Sequence, residues 1–218
     1  SMQDALEAGA PHIILATGST WRRDGVGRSI SHPLQGNGNI FTPDDLMNGN
    51  LPTGKVLIFD DDHYYMGGVL AELLATNGCE VTLMTPAPTI SAWTEYTLEQ
   101  DRIYKRLLSL NVTLLPHHVL ASFSPITATV THAITFAEST LACDAIVMVT
   151  DRIPNDSLYH ELKPALADGR LKSLRIIGDA EAPNIIAQAV FSGHLAAREF
   201  DEVINPDVTP FKVERVKI

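Results

Sequence analysis

The sequence is poor in cysteine, in basic residues and in long apolar runs. Cys79 and Cys143 are its only cysteines in 218 residues. Two are too few for a disulfide framework, a four-cysteine zinc site or an iron–sulfur cluster within this chain, and both read as small buried hydrophobes. Sixteen Lys and Arg stand against 26 Asp and Glu, a formal net charge of -10. That balance argues against a general nucleic-acid binder, whose phosphate contacts need clustered cations. No stretch of about 18 apolar residues is present, and the start lacks a basic-then-apolar layout, so a cytoplasmic protein without a membrane partner is expected. Ser1 and Met2 read as a remnant ahead of the natural segment and are set aside. The 45% hydrophobic content suits a chain that buries a substantial core, as one domain or as two associated lobes.

Hydrophobic periodicity and turn residues divide the chain into short elements. His12 to Ala16 is an apolar run ending in Thr17-Gly18-Ser19, which reads as a buried strand entering a turn. An irregular stretch rich in Gly, Ser, Arg and Asn follows from Trp21 to Phe41, then a short helix at Pro43 to Met47 with Thr42 as its N-cap. Val56 to Phe59 reads as a strand, Gly67 to Asn77 as a helix closed by Gly78, and Val81 to Met84 as the next strand. This is a βαβ unit with parallel strands. A second helix is predicted over Thr97 to Ser109, with Leu98, Ile103, Leu107 and Leu108 inward, and a third parallel strand over Val112 to Leu115. Val119 to Phe123, Ala128 to Thr131 and Ala133 to Phe136 fit an antiparallel meander. Ala145 to Val149 is a further strand, Ser157 to Leu162 a short helix and Leu174 to Ile177 a strand. A final helix is predicted from about Pro183 to Glu202, with Ile185, Ile186, Ala189, Val190, Ala197 and Phe200 on one apolar face.

The loop after Phe59 is where a dinucleotide site would carry G-x-G-x-x-G, with glycines for the tight turn, the close approach of pyrophosphate and helix packing. Asp60, Asp62 and Tyr65 occupy those positions. A carboxylate at the second position opposes a doubly charged pyrophosphate at the helix N-terminus. The second strand ends at Thr85, where a ribose-binding Asp or Glu would be expected. NAD(P) binding is therefore not expected in this unit. Asp60, Asp61 and Asp62 read either as caps favouring the positive end of the following helix or as oxygen ligands for a hard cation. His63 and Tyr64 read as packing groups.

Thr17-Gly18 and Gly178-Asp179-Ala180 each follow a strand and are separated by the whole βαβ region. The arrangement resembles two-dinucleotide-domain flavoproteins of the glutathione-reductase type, in which the nicotinamide domain is inserted within the flavin domain. Longer strings sharpen the likeness: Ala16-Thr17-Gly18 with Trp21 and Asp24-Gly25, Thr42-Pro43-Asp44, Tyr64 and Met66, Thr97-Leu98-Glu99, and Gly178-Asp179-Ala180-Glu181-Ala182-Pro183. Together these strings resemble the C-terminal region of the trimethylamine and dimethylamine dehydrogenase family, which includes N-methylproline demethylase-like proteins and, more distantly, 2,4-dienoyl-CoA reductase. The likeness covers nearly all of residues 10 to 204. Thr150-Asp151-Arg152 stands where the family has Thr-Gly-Arg, and Gln100 stands where an aromatic is found.

The resemblance implies an α/β fold: a Rossmann-like three-layer NAD(P)-binding-type domain with an antiparallel β meander, plus part of a flavin/ADP-type dinucleotide domain. Residues 1-50 would be a partial flavin/ADP-type segment and connector. Residues 51-150 would be the degenerate NAD(P)-binding-like domain, 151-205 the returning flavin/ADP-type segment and 206-218 a tail. It implies ADP or FAD in the intact protein, with FMN and a 4Fe-4S cluster in a preceding TIM barrel that would perform the chemistry. Partners would be a small amine substrate and an electron-transferring flavoprotein, with homo-oligomerisation an open expectation.

On that view the chain is a pseudo-dinucleotide-binding portion of an amine-oxidising oxidoreductase. A docking or assembly platform and an NAD(P)H-dependent reductase are the alternatives. Thr17, Gly18, Gly178, Asp179 and Ala180 are the candidate cofactor-binding residues, and no catalytic or metal residue is assigned. His194 reads as a helix packing or surface residue, and Arg22, Arg23 and Arg28 as solvated loop cations with phosphate binding as the alternative. His117-His118 would bind a metal only with a third ligand. Trp93, Tyr96 and Tyr104 read as core or as docking aromatics.

Overall fold

The structure is a computed structural model and describes residues 1–200. The expected boundaries lay near residues 50 and 151. The chain separates instead into two compact units that change over between Ser19 and Thr20 and again between Ile153 and Pro154. The tail expected at 206–218 lies outside the described residues, and the last helix, expected to run to Glu202, ends at Arg198.

In chain order, α1 (Met2–Glu7) and β1 (His12–Leu15) open the first unit. The set-aside Ser1 has a structural role: its hydroxyl and the Asp4 carboxylate form a reciprocal capping box for α1. The second unit then contains β2 (Ser19–Trp21), β3 (Gln35–Gly36), β4 (Ile40–Phe41), α2 (Pro43–Met47), β5 (Lys55–Asp60), α3 (Tyr65–Thr76) and β6 (Glu80–Met84). It continues through α4 (Gln100–Ser109), β7 (Thr113–Leu115), β8 (His118–Phe123), β9 (Thr127–His132), β10 (Glu138–Ala142), β11 (Ala145–Val149) and β12 (Arg152–Pro154). The chain returns to the first unit as α5 (Ser157–Ala167), β13 (Ser173–Ile176) and α6 (Ile186–Arg198).

The second unit has a mixed α/β fold with parallel and antiparallel sheets. Its parallel sheet has the order β4-β11-β5-β6-β7. β5 pairs with β6 in register Lys55↔Glu80 to Phe59↔Met84, and with β11 on its other side from Val56↔Ala145 to Asp60↔Val149. Alternation along β5 divides its side chains between two cores. Val56 and Ile58 join Leu70, Leu74 and Leu107 under the helices. Leu57 and Phe59 join Leu120, Ala128 and Val130 of the second sheet. Because both faces are covered, the strand reads as one continuous apolar run. The second sheet, of order β10-β9-β8-β3, is antiparallel between β8, β9 and β10.

Four sequence expectations change. Ala133 to Phe136 is a turn rather than a strand, and the third antiparallel strand is Glu138–Ala142. The His132 imidazole Nδ1 accepts from the Ile134 and Thr135 amides, both at 3.2 Å, and Phe136 takes φ 58°, so the local side chain reverses the chain before alternation can continue. The helix predicted from Thr97 begins at Gln100, because Leu98 is left-handed at φ 59° and 93% exposed. Leu108, also expected inward, is exposed too. α5 runs on to Ala167 through Pro164. In α6 the inward residues are small: Ala196 is buried and Ala189, Ser192 and Gly193 are partly so, while Ile186, Val190 and Phe191 are exposed.

The first unit, described by itself, is built on the parallel pair β1 and β13, from His12↔Ser173 to Leu15↔Ile176. Leu15, Leu162, Ala165 and Leu171 form its core, with Leu6 of α1 packed against it.

Candidate nucleotide site

The C-terminal ends of β5 and β11 adjoin in the parallel sheet while the order runs outward on either side. In an open α/β sheet this is where ligands settle. Here that edge is filled by the protein's own groups.

Asp60 and Asp61 are both fully buried. Asp60 Oδ1 accepts from the Asp62 and His63 amides at 3.1 and 3.0 Å. Its Oδ2 has no hydrogen-bond partner and lies against Gly67 of α3, where an added Cβ would come within 2.4 Å of it. Burial pushes the Asp60 carboxyl up to about 7, with Asp62 and Asp61 adding repulsion and the two amide donors opposing. The Asp61 and Asp62 amides both donate to the Val149 carbonyl, at 2.8 and 3.2 Å. The amides of Asp61, Asp62 and His63 are thus already engaged within the protein.

Asp61 holds down a strap formed by residues 24–31. Ser29 donates to it twice, amide to Oδ2 at 2.8 Å and hydroxyl to Oδ1 at 2.7 Å. Gly27 passes so close that an added Cβ would lie 2.6 Å from Asp61 Oδ2 and 3.2 Å from Thr150 Cβ. The Asp151 amide donates to the Val26 carbonyl at 3.2 Å. Sequence reasoning missed this strap, since nothing local in Gly25 to Ser31 announces a contact 32 residues away.

His63, at φ 64°, places Nδ1 3.1 Å from Thr85 Oγ1 and Nε2 3.5 Å from Asp61. Burial lowers its pKa, with Asp61 opposing and Arg28 assisting. Burial raises the Asp62 carboxyl, against the pull of Arg152 and Arg28. Arg28 stacks 4.3 Å over the Trp93 ring, and Arg22 pairs with Asp24 at 2.6 Å. Arg23 pairs with Asp45 at 2.7 Å. None of the three predicted loop arginines is gathered into a common cradle. Of the candidate aromatics, Tyr96 is 87% exposed, and the Tyr104 hydroxyl accepts from the Ile90 amide at 2.8 Å.

The structure does supply a third imidazole to His117-His118. The His132 ring lies 5.9 Å from that of His117 and 5.0 Å from that of His118, between centroids. Yet His132 Nδ1 already accepts two amides, which puts the ring proton on Nε2 and leaves no lone pair for a metal. No group of three such ligands among the described residues is arranged to hold a metal ion.

In the first unit, Asn155 ties Thr17 and Gly18, and the adjoining Ser19 reaches Asp179. Thr17 donates its hydroxyl to the Asn155 carbonyl at 2.5 Å. Asn155 returns Nδ2 to the Thr17 carbonyl at 3.2 Å and its amide to the Gly18 carbonyl at 3.0 Å. Asp179 accepts from the Ser19 hydroxyl at 3.2 Å and the Asn184 amide at 3.2 Å. Gly178 takes φ 63° and donates its amide to Ser192 Oγ at 2.8 Å. Ala180 is buried. Space is open in front of Gly18, where an added Cβ would meet nothing within 4 Å. This side has a carboxylate, a hydroxyl and a bare glycine turn at one end of two parallel strands.

Comparison with known proteins now adds to this geometry. Residues 41–126 match the family described as OYE-like second alpha/beta domain. The chain is 29% identical to dimethylamine dehydrogenase of Hyphomicrobium sp. (strain x), covering 97% of this chain and 32% of that protein. It superposes on the solved histamine dehydrogenase from Rhizobium sp. 4-9 with TM-score 0.92 and 38% identity, over 100% of this chain and 35% of that one. The chain is a homologue of the amine dehydrogenases. The same relationship extends to 6-hydroxypseudooxynicotine amine oxidase from Pseudomonas geniculata N1, with TM-score 0.87 and 34% identity over 92% of this chain and 30% of that one. This amine dehydrogenase homologue thus spans about a third of the length of the proteins it matches. It is an oxidoreductase relative of flavoprotein type. No helix among its described residues is long and apolar enough to cross a membrane.

Proposed function

We propose that this chain is the nucleotide-domain portion of a flavoprotein that oxidises or demethylates a small amine, and that its second unit is a Rossmann-like domain which has given up pyridine-nucleotide binding. One observation carries the reading: the phosphate loop after β5 spends its amides on Val149 and Asp60, while Asp61 holds the Ser29 strap across the crevice. A pyrophosphate entering there would meet buried carboxylates instead of free N–H groups.

The first unit, with Thr17, Gly18, Gly178, Asp179 and Ala180, is the proposed part of a flavin/ADP-type domain. Asp179 beside Ser19 would receive ribose or flavin-chain hydroxyls, and the open face of Gly18 would let the ligand approach. The bound nucleotide would be ADP or FAD. FMN and a 4Fe-4S cluster, with the substrate contacts, would belong to the remainder of a longer protein, and electrons would pass to an electron-transferring flavoprotein. Two features support a divided first unit: its described sheet is a single parallel pair, and α6 exposes Ile186, Val190 and Phe191. A cytoplasmic location and an NAD(P)-independent reaction go with this reading.

Titration with NADH and NADPH, followed by calorimetry, tests it. The expected result is no saturable binding up to millimolar cofactor. Micromolar binding that is lost on substitution within Asp60 to Tyr65 would overturn it in favour of a pyridine-nucleotide-dependent reductase.

A further inference from the structure

Away from the strand edge, the outer surface of α3 and α4 carries a groove of about 630 Å³, within the range of small-molecule sites. Gly68 lets α3 and α4 approach closely beneath it: an added Cβ there would lie 3.3 Å from both Ile103 Cγ2 and Ser91 Oγ. Val69, Ile103 and Leu107 line it, and Val69 is 57% exposed, an aliphatic surface with no protein cover. The two ends are fixed. At one, the Tyr65 hydroxyl donates to Glu99 and bonds Thr97 Oγ1 at 2.8 Å. At the other, Arg106 Nε donates to Glu72 at 2.8 Å.

The charge balance of this groove is the reverse of the chain's. Both of its carboxylates, Glu72 and Glu99, are engaged by those end contacts, and Arg106 is used by Glu72. Arg102 and Lys105 also line the groove, and neither side chain has an ion pair or hydrogen bond among the described residues. Two uncommitted cations beside an exposed aliphatic floor, on a protein of net charge -10, call for a ligand with an apolar body and an anionic head. A free phosphate would leave the floor uncovered, and an uncharged lipid would leave the cations unanswered.

We propose that the α3–α4 groove binds an amphipathic carboxylate, its hydrocarbon body on Val69 and Ile103 and its head group between Arg102 and Lys105. The guanidinium fork of Arg102 meets both carboxylate oxygens, and Lys105 adds a point charge. This site lies on the α3–α4 surface, meeting the loop after β5 only at Tyr65, and does not depend on whether a nucleotide binds elsewhere.

Decanoate, below its micellar concentration, is the probe, with decanol as its uncharged counterpart and inorganic phosphate as the head group alone. Calorimetry on the whole chain is expected to give one saturable site for decanoate. Affinity should fall about tenfold or more in Arg102→Glu/Lys105→Glu, as expected for the loss of charge-assisted bonds. Val69→Glu, which places a like charge on the floor, should reduce it similarly. All three positions are exposed, so circular dichroism and thermal midpoints should stay near wild type, which separates lost binding from lost folding. The proposal is overturned by absence of saturation at millimolar decanoate, by unchanged affinity in the double variant, or by decanol or phosphate binding as tightly. It is equally overturned if the groove substitutions abolish self-association while decanoate does not bind, an outcome that assigns the groove to a second copy.

Discussion

At the scale of single residues, Asp60 is the most consequential feature of this protein. Its carboxyl is fully buried with one oxygen lacking a partner, and burial lifts its pKa from 3.8 to about 7. Between those values the folded state keeps a proton that the unfolded chain has released. The contribution to stability is fully present below about pH 4, falls as pH rises and levels off above about 7. By the usual conversion of a pKa difference, the loss is on the order of 4 kcal/mol. Asp60→Asn retains an oxygen to accept the Asp62 and His63 amides and cannot ionise. Urea unfolding at pH 5 and pH 8 should show the wild type losing more stability than the variant across that interval, with the variant the more stable at pH 8. Parallel pH profiles for the two proteins would remove Asp60 as the titrating group.

Residues also mark the limit of what the sequence could say. The missing glycines at 60, 62 and 65 were legible because a phosphate loop has a fixed spacing. The fate of the carboxylates was not. Asp60 does not cap α3, whose N-cap Tyr64 has no side-chain cap bond; its Oδ1 gathers the Asp62 and His63 amides ahead of the helix, while Asp61 turns the other way to Ser29. Similarly, Thr17 and Gly178-Asp179 were legible as turns, but Asn155, which ties Thr17 and Gly18 across 138 residues, carries no local signal.

At the scale of elements, the strands that build the parallel sheet were readable because burial on both faces makes them plainly apolar. Elements decided by one side chain or one pairing were not. β3 is two residues long and exists only because Gln35 and Gly36 find Ser122 and Phe123. The strap over β5 is of the same kind: it has no regular structure and is fixed by Asp61, Val26 and the close passage of Gly27. Gly27→Ala forces a methyl into buried Asp61 and Thr150, neither of which has space to move. The expected cost is about 1–3 kcal/mol, read as a lower urea midpoint with unchanged slope. Hydrogen exchange should accelerate at the Ser29 amide ahead of the β5 amides. If Gly27→Ala is as stable as wild type and Ser29 stays protected, the strap is not pinned as described.

At the scale of the whole molecule, α6 shows how a correct pattern can point the wrong way. Ile185, Ile186, Ala189, Val190, Ala197 and Phe200 read as one apolar face, yet this chain buries the small side, Ala196 with Ala189, Ser192 and Gly193, and leaves Ile186 at 83% and Phe191 at 58% exposure. Small residues suit the near approach of the Gly178 turn, where a Cβ would lie 3.7 Å from Ala189. The large ones have no partner among the described residues that buries them. If the chain is part of a longer amine-oxidising flavoprotein, those side chains are core there. Ile186→Glu/Phe191→Glu should then change the stability of this chain by no more than about 0.5 kcal/mol, as at other exposed sites. In the longer protein the same pair should cost several kcal/mol, the usual penalty for charges placed in an apolar contact, and should weaken retention of its nucleotide. Denaturant curves for both lengths make the comparison. An equal, large loss in the short chain would mean that α6 already packs on its apolar face. An equal, negligible loss in both would mean that this face stays in water, and the divided-domain reading of the first unit would fail with it.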